Sequence, residues 1–391
     1  MKGAYVTLYD AADVRAWSGT GLNIARSLEQ QGISFDYIGS LRWNGRYKYK
    51  PKELWCKHIA RKRYLREREP ALARYFARQV LRNLKDLNCE FVVSPGCIPI
   101  AMLECKQPIL MWADATFGGL LNFYPEASNV WGPSIRNGHL LEKMALERAG
   151  CVVFASEWAA RGAIELYQAD SRKVHVVPFG ANLASEIDRE SVIRRIGSRP
   201  TDECRMVFLG VEWYRKGGDL AVDTVRELNR AGLKTKLTVV GCNPPSNEPL
   251  PDFVENIGFI SKADPGGNER LEQILSNSHF LILPAEAECF GVVFCEAASL
   301  GVPSLATRVG GIPTAVRDGG NGMLFERQTF VRNCAAHVLE VFGNPRHYRE
   351  MAIAAREEYE TRLNWKVSGR RVKELAAQLV GSPGRTETAC K

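Results

Sequence analysis

The stretch LPAEAECFGVVFCEAASLGVPSLATRVGGIPTAV (283–316) sets two carboxylates, Glu288 and Glu296, with seven residues between them. FLIL (280–283) is a short apolar run of the kind a buried strand needs, Pro284 ends it, and a helix VVFCEAASL opens at Gly291 and closes at Gly301. Glu288 then lies in the loop and Glu296 about one turn inside the helix. An open α/β sheet binds its ligand at the carboxyl ends of its strands, and a helix N-terminus offers unpaired N–H groups to a phosphate. A phosphate-bearing ligand is therefore expected beside Gly291, with both carboxylates able to accept hydrogen bonds from hydroxyls. The plainer alternative leaves one glutamate solvated and the other supporting its helix. Three features weigh against it: Phe290-Gly291 lets backbone approach a ligand closely, Gly310-Gly311 before Pro313 marks a second helix start, and Arg317-Asp318-Gly319-Gly320 closes that helix.

Outward from this stretch, apolar runs alternate with helical spacing in both halves of the chain. AYVTLY (4–9), FDYIGS (35–40), FVVSP (91–95), ILMWAD (109–114), CVVFAS (151–156) and KVHVVPFGAN (173–182) read as strands of one parallel, doubly wound domain, with a helix at 22–32 after the first. CRMVFLG (204–210), KLTVVG (236–241), FVENIGFIS (253–261), FLIL and SLAT (304–307) restart the alternation, with helices at 222–232 and 271–278. The expected fold is α/β, two Rossmann-like domains facing a central cleft. Expected boundaries are 1–183, 184–361, a helix at 362–380 and a polar tail at 381–391.

At 391 residues there is length for two cores, and 45% hydrophobic with 25% charged residues describes an ordinary globular chain. No apolar run reaches the roughly 18 residues of a membrane helix, and AYVTLY is too short for a signal-peptide core. Eleven cysteines without a C-x-x-C pair make neither a disulfide nor a metal pattern, and they fit a reducing compartment. Cys289 stands apart because it neighbours Glu288. These points lead to an expected cytoplasmic location, peripheral at the inner membrane face if the basic segment binds lipid. Residues 41–88 carry +11 of a total +8, so the rest of the chain is −3, and Trp43, Tyr47, Trp55 and Tyr64 are interleaved with the cations. A solvated face, an anionic acceptor or anionic membrane, and nucleic acid are the three uses of such a segment; nucleic acid is not the expected partner.

E-C-F-G-x4-E-A-x2-L-G-x-P at 288–303 resembles the E-x7-E signature of retaining nucleotide-sugar glycosyltransferases of the GT-B fold, in the large group called family 4. The resemblance implies a hexosyltransferase moving a sugar from a UDP- or GDP-sugar donor to a carbohydrate or lipid-linked acceptor, with retention, in bacterial glycoconjugate, polysaccharide or glycolipid synthesis. FLGVEWYRKGGDL (208–220) resembles the family's G-R-x4-K-G segment, in which a lysine and an arginine bind the donor diphosphate. Lys216 matches; Val211 stands at the arginine position, and Arg215 is the candidate replacement. The resemblance further implies Glu288 on sugar hydroxyls, Glu296 on the ribose, backbone at Phe290, Gly291 and Val292 near the phosphates, and Phe259 or Ile260 beside the nucleobase. WSGTG (17–21), with Gly19 and Thr20, matches the glycine-rich first loop of the N-terminal domain.

Asp114, at the end of ILMWAD, is either an acceptor-side base or the cap of the following segment. Ser156 reads as a helix N-cap. No D-x-D and no His or Cys cluster is present, so neither a metal nor another cofactor is expected. Two alternatives to transfer share these features: a GT-B epimerase or phosphorylase-like enzyme, which would share the phosphate site, and a non-catalytic basic binding protein. An NAD oxidoreductase is disfavoured because no strand is followed by G-x-G-x-x-G.

Overall fold

In the computed structural model, described for all residues except 15, 44, 46, 184–186, 246–248 and 382–391, the chain divides into two compact units. One is Met1–Val177 together with the described residues from Gly369 on, and the other is Pro178–Ser368. The first holds a parallel sheet built from β1 (Lys2–Val6), β2 (Ser34–Ile38), β3 (Phe91–Ser94), β4 (Ile109–Ala113), β5 (Cys151–Phe154) and β6 (Val174–Val176), in the order β2-β1-β3-β4-β5-β6. The second holds β7 (Cys204–Leu209), β8 (Thr235–Val240), β9 (Val254–Gly258), β10 (Phe280–Leu283), β11 (Ser304–Thr307) and β12 (Gly322–Phe325), in the order β12-β11-β10-β7-β8-β9.

The central strands are buried along their whole length because helices cover both faces. β3, β4, β5, β10 and β11 have no exposed residue, and FLIL, ILMWA and CVVF supply uninterrupted apolar side chains to that environment. The edge strands β2 and β9 are only partly covered, and their sequences SFDYI and VENIG mix polar with apolar residues accordingly. In each sheet the strand order reverses direction once, between β1 and β3 and between β7 and β10. In doubly wound sheets a ligand sits outside the carboxyl ends of the strands at that reversal. The loops after β7 and β10, at 210–217 and 284–291, therefore hold the position from which a site is built.

The units divide at Val177, earlier than the expected boundary at 183; residue 184 itself lies outside the described residues. The cause is Phe179, which stacks on Trp365 and meets Phe290 edge-on, each with ring centroids 5.5 Å apart, and so fixes the segment after Pro178 to the second unit. The final helix runs Trp365–Gly381 rather than from 362, and its residues from Gly369 on belong to the first unit. The expected tail after 381 lies outside the described residues. β9 ends at Gly258 (φ +74°), so the strand expected to reach 261 is shorter. β12 and the helices Phe330–Phe342 and Pro345–Thr361 complete the second unit without having been anticipated.

Candidate active site

Pro284 leaves β10, and the loop that follows is fixed by its neighbours before any ligand arrives. The Arg215 backbone carbonyl accepts from the Glu286 amide (2.8 Å), the Arg215 guanidinium donates to the Ala287 carbonyl (2.9 Å), Arg327 donates to the Pro284 carbonyl (2.8 Å), and the Gly311 amide donates to the Glu288 carbonyl (2.9 Å). This clamp brings Glu288 against Lys216: the Lys216 Nζ donates to Glu288 Oε2, and both residues are buried, 9% and 7% exposed. Arg215 Nη1 stands 3.9 Å from the same carboxylate oxygen, while its Nε donates to Glu212 at 2.7 Å. The hydrogen bond from Arg215 holds the Glu212 carboxyl below its usual range. Two residues 72 apart in sequence thus form one ion pair, contributed by the loops on either side of the strand-order reversal.

Lys216 and Arg215 precede the long helix that follows them. They occupy the last turn of a one-turn helix, Trp213–Lys216, where the dipole favours cations; Gly217 (φ +79°) then turns the chain into the helix Gly218–Arg230. No side chain fits at Gly217, since a Cβ there would overlap the Pro284 carbonyl and lie 2.8 Å from its carbon. Gly217→Ala is accordingly expected to destabilise the unit by about 1–3 kcal/mol through backbone strain, and to displace the Glu288 loop, which a lower melting temperature together with weakened nucleotide binding would register.

Gly291 (φ +86°) is the N-cap of the helix Val292–Ser299, as the sequence indicates, and a Cβ on it would lie 2.5 Å from the Phe294 ring. Glu296 sits inside this helix, 3% exposed, where its Oε1 accepts from Lys262 Nζ. Lys262 was not anticipated. It follows β9 in the loop whose shape Asn268 fixes by donating to the Lys262 carbonyl (2.9 Å). Each carboxylate of the signature consequently has its own buried or half-buried lysine. The second helix, Ile312–Ala315, is a single turn, and the preceding Gly311 amide is committed to Glu288, so it supports the loop instead of offering a second anion site.

Phe290 is 2% exposed and packs into the unit's interior, whereas Val292 is partly exposed at the helix start. Phe259, 70% exposed, and the half-buried Ile260 lie beyond the end of β9. Cys289 is buried, 4% exposed.

In the first unit the reversal between β1 and β3 gathers a separate group. Trp17, Ser18 and Gly19 have successive φ values of 51°, 53° and 81°, and Gly19 is the N-cap of the helix Thr20–Glu29, in which Thr20 is buried. Trp17 Nε1 donates to Asp114 Oδ2 at 3.2 Å. Asp114 is not the cap of the next segment: Thr116 is, its hydroxyl accepting from the Gly119 amide at 3.2 Å. Asp114 also helps burial push the neighbouring Tyr9 hydroxyl up to about 12. Ser156 caps the helix Glu157–Tyr167 as read from the sequence.

Two doubly wound units with paired acidic and basic residues at a strand-order reversal define the GT-B class of glycosyltransferase. Residues 190–358 match the family described as Glycosyl transferases group 1, and residues 21–185 match Glycosyltransferase Family 4. The chain belongs to the family 4 group of GT-B glycosyltransferases. Among curated relatives, the D-inositol 3-phosphate glycosyltransferase of Nocardia farcinica is 32% identical over 197 residues, 47% of this chain and 43% of that protein. The protein of the same description from Thermobispora bispora is 27% identical over 267 residues, 65% of this chain and 61% of its own. These matches span less than two thirds of the relatives' length. Among solved structures, the sucrose-phosphate synthase of Thermosynechococcus elongatus superposes with a TM-score of 0.70 at 17% identity, covering 98% of this chain and all of that one. The Anabaena protein HepE, solved with UDP and glucose, gives 0.60 at 14% identity over 96% and 99%. At such identities the structures establish the fold, which is α/β GT-B.

Proposed function

We propose that the protein is a retaining glycosyltransferase that binds a UDP- or GDP-sugar on its second unit and transfers the hexose to an acceptor. The observation that carries this reading is the Lys216–Glu288 pair set beside the Gly291 helix start at the strand-order reversal. In it, Lys216 neutralises the charge that grows on the diphosphate as it leaves, the contribution expected of a fixed cation in a dry site. Arg215 adds a second positive charge close to the same carboxylate while bracing the loop, and so stands in for the cation missing at Val211. The Gly291 and Val292 amides donate to phosphate oxygens. Glu288 accepts from sugar hydroxyls, Glu296 from the ribose, and the exposed Phe259 with Ile260 lies beside the base. Neither carboxylate is an unpaired nucleophile, which favours front-face retention with the leaving phosphate taking the acceptor proton. On the first unit, Asp114, oriented by Trp17, accepts a hydrogen bond from the acceptor hydroxyl, and Gly19 and Thr20 supply the backbone of the glycine-rich loop that binds substrate.

The curated relatives' description, an inositol phosphate glycosyltransferase, favours a polyol or carbohydrate acceptor carrying negative charge; a lipid-linked one shares that chemistry. No cofactor beyond the donor itself enters this reading, and a bacterial glycoconjugate or polysaccharide pathway at the cytoplasmic side is the setting it fits. Proton NMR of the product tests it: a product anomer matching that of the donor is expected, and an inverted anomer would refute retention.

Lys262 gives this reading a further prediction. It holds one oxygen of Glu296, so Lys262→Met is expected to weaken nucleoside diphosphate binding about tenfold, the worth of one charge-assisted hydrogen bond. Turnover at saturating donor should stay near that of the parent protein. Calorimetric titration and steady-state kinetics read the two effects separately.

A further inference from the structure

The helix Lys50–His58 is turned inside out. Only Cys56 of its nine residues is buried, whereas Leu54 is 48% exposed, Trp55 49%, and Ile59, at its C-cap, 70%. At 3.6 residues per turn Leu54, Trp55, His58 and Ile59 fall within a sector of about 140°; Leu54, His58 and Ile59 are exposed, and Trp55, half exposed at one side of the sector, also meets the Trp131 ring edge-on with centroids 6.2 Å apart. The side that docks does so through a cation: Lys52 pairs with Glu69 (2.5 Å) and lies over the rings of Tyr64 and Trp131, 5.1 and 4.9 Å from their centroids. A surface helix ordinarily buries its apolar stripe and presents its lysines; here the stripe points outward.

Exposed cations lie on the same helix and on the two segments that follow it. Lys50 and Lys57 lie along the stripe's Leu54 edge, with the exposed Glu53 beyond them, and Arg61, Lys62 and Arg63 follow on a segment held in place, where the Arg63 amide donates to the Asn129 carbonyl and the Trp131 amide to the Arg63 carbonyl, each at 2.8 Å. On the helix Pro70–Lys85, Arg74, Arg78, Arg82 and Lys85 are exposed at three- and four-residue spacing, with Tyr75 41% exposed beside them. Among the described residues no ion pair is formed by Lys50, Lys57, Arg61, Arg74 or Arg78. Among the described residues, too, no helix is long and apolar enough to cross a membrane.

We infer that this face of the first unit docks on the surface of a bilayer rich in anionic lipid. The stripe enters the headgroup boundary with Trp55 at the interface, and the flanking lysines and arginines meet the negative headgroups. Charge alone would fit nucleic acid as well. The aliphatic side chains of Leu54 and Ile59 decide the matter, since they gain by leaving water for acyl chains and have no counterpart in a phosphate backbone.

Cosedimentation of the full chain with vesicles tests the inference independently of transfer. Binding to vesicles containing phosphatidylglycerol is expected, at least tenfold stronger than to phosphatidylcholine alone and weakened about tenfold by raising the salt enough to shorten the screening length from its physiological value of about 8 Å. Leu54→Ser with Ile59→Ser, and separately Lys50→Glu with Lys57→Glu, should each reduce binding at least tenfold with an unchanged melting temperature; Lys50→Arg with Lys57→Arg should retain it. The inference is overturned if the parent chain prefers neither vesicle, if the stripe variant binds as the parent does, or if the face binds an oligonucleotide and no vesicle.

Discussion

Glu288→Gln is expected to lower sugar transfer about 10²–10³-fold, the scale of losing one preorganised electrostatic contact in an active site. Glutamine keeps the size of the side chain and can still accept a hydrogen bond, but it removes the negative charge that faces Lys216 in a buried setting. The sugar hydroxyls then lose a charged acceptor. Nucleoside diphosphate binding should survive, because the variant leaves Lys216 with its positive charge uncompensated and the diphosphate supplies the missing anion. Breaking a buried pair costs about 3–5 kcal/mol when one partner is left charged, so the free variant should melt earlier and recover when UDP or GDP is added. A folded variant with turnover near that of the parent would remove Glu288 from the mechanism.

Lys216→Ala should give the complementary signature, a fall of about 10²-fold or more in kcat together with weaker donor binding. A cation beside the leaving group helps more in the transition state, as charge accumulates on the departing oxygen, than in the ground state. Removing it also strands Glu288, 7% exposed, with Arg215 Nη1 still 3.9 Å away. Arg215→Ala tests the second cation: it should lower turnover and loosen the loop through loss of the bond to the Ala287 carbonyl. Should Arg215→Ala prove silent while Lys216→Ala is not, Arg215 does not replace the cation absent at Val211.

The parallel strands were legible because burial on both faces forces uninterrupted apolar runs, and FLIL or CVVF can hardly be anything else between loop residues. Their order was not, since adjacency is decided by helices packing on each face and leaves no mark on a single strand; only the sheets reveal that the loops at 210–217 and 284–291 lie side by side. Both carboxylates were visible from their spacing to Gly291. Lys262 was invisible for the opposite reason: its partner is 34 residues away, and a lone lysine after an edge strand has the look of a solvated one. The capping residue after β4 was open to misreading because Asp114 and Thr116 are both good caps, and the turn selects the one whose hydroxyl reaches Gly119. In the basic segment, composition located the charge, but the exposure of Leu54 and Ile59 emerges only once Cys56 and Lys52 are seen to take the inner side.

Release of nucleoside diphosphate from a panel of UDP- and GDP-sugars, followed with a set of phosphorylated and neutral carbohydrate acceptors, bears most directly on the proposal that the Lys216–Glu288 pair works on a nucleotide-sugar donor. The account predicts acceptor-dependent release from one donor class by the parent protein, reduced about 10²-fold or more in Lys216→Ala. Release at equal rates from the parent and the folded Lys216→Ala variant, or neither binding nor release with any member of the panel, would contradict it.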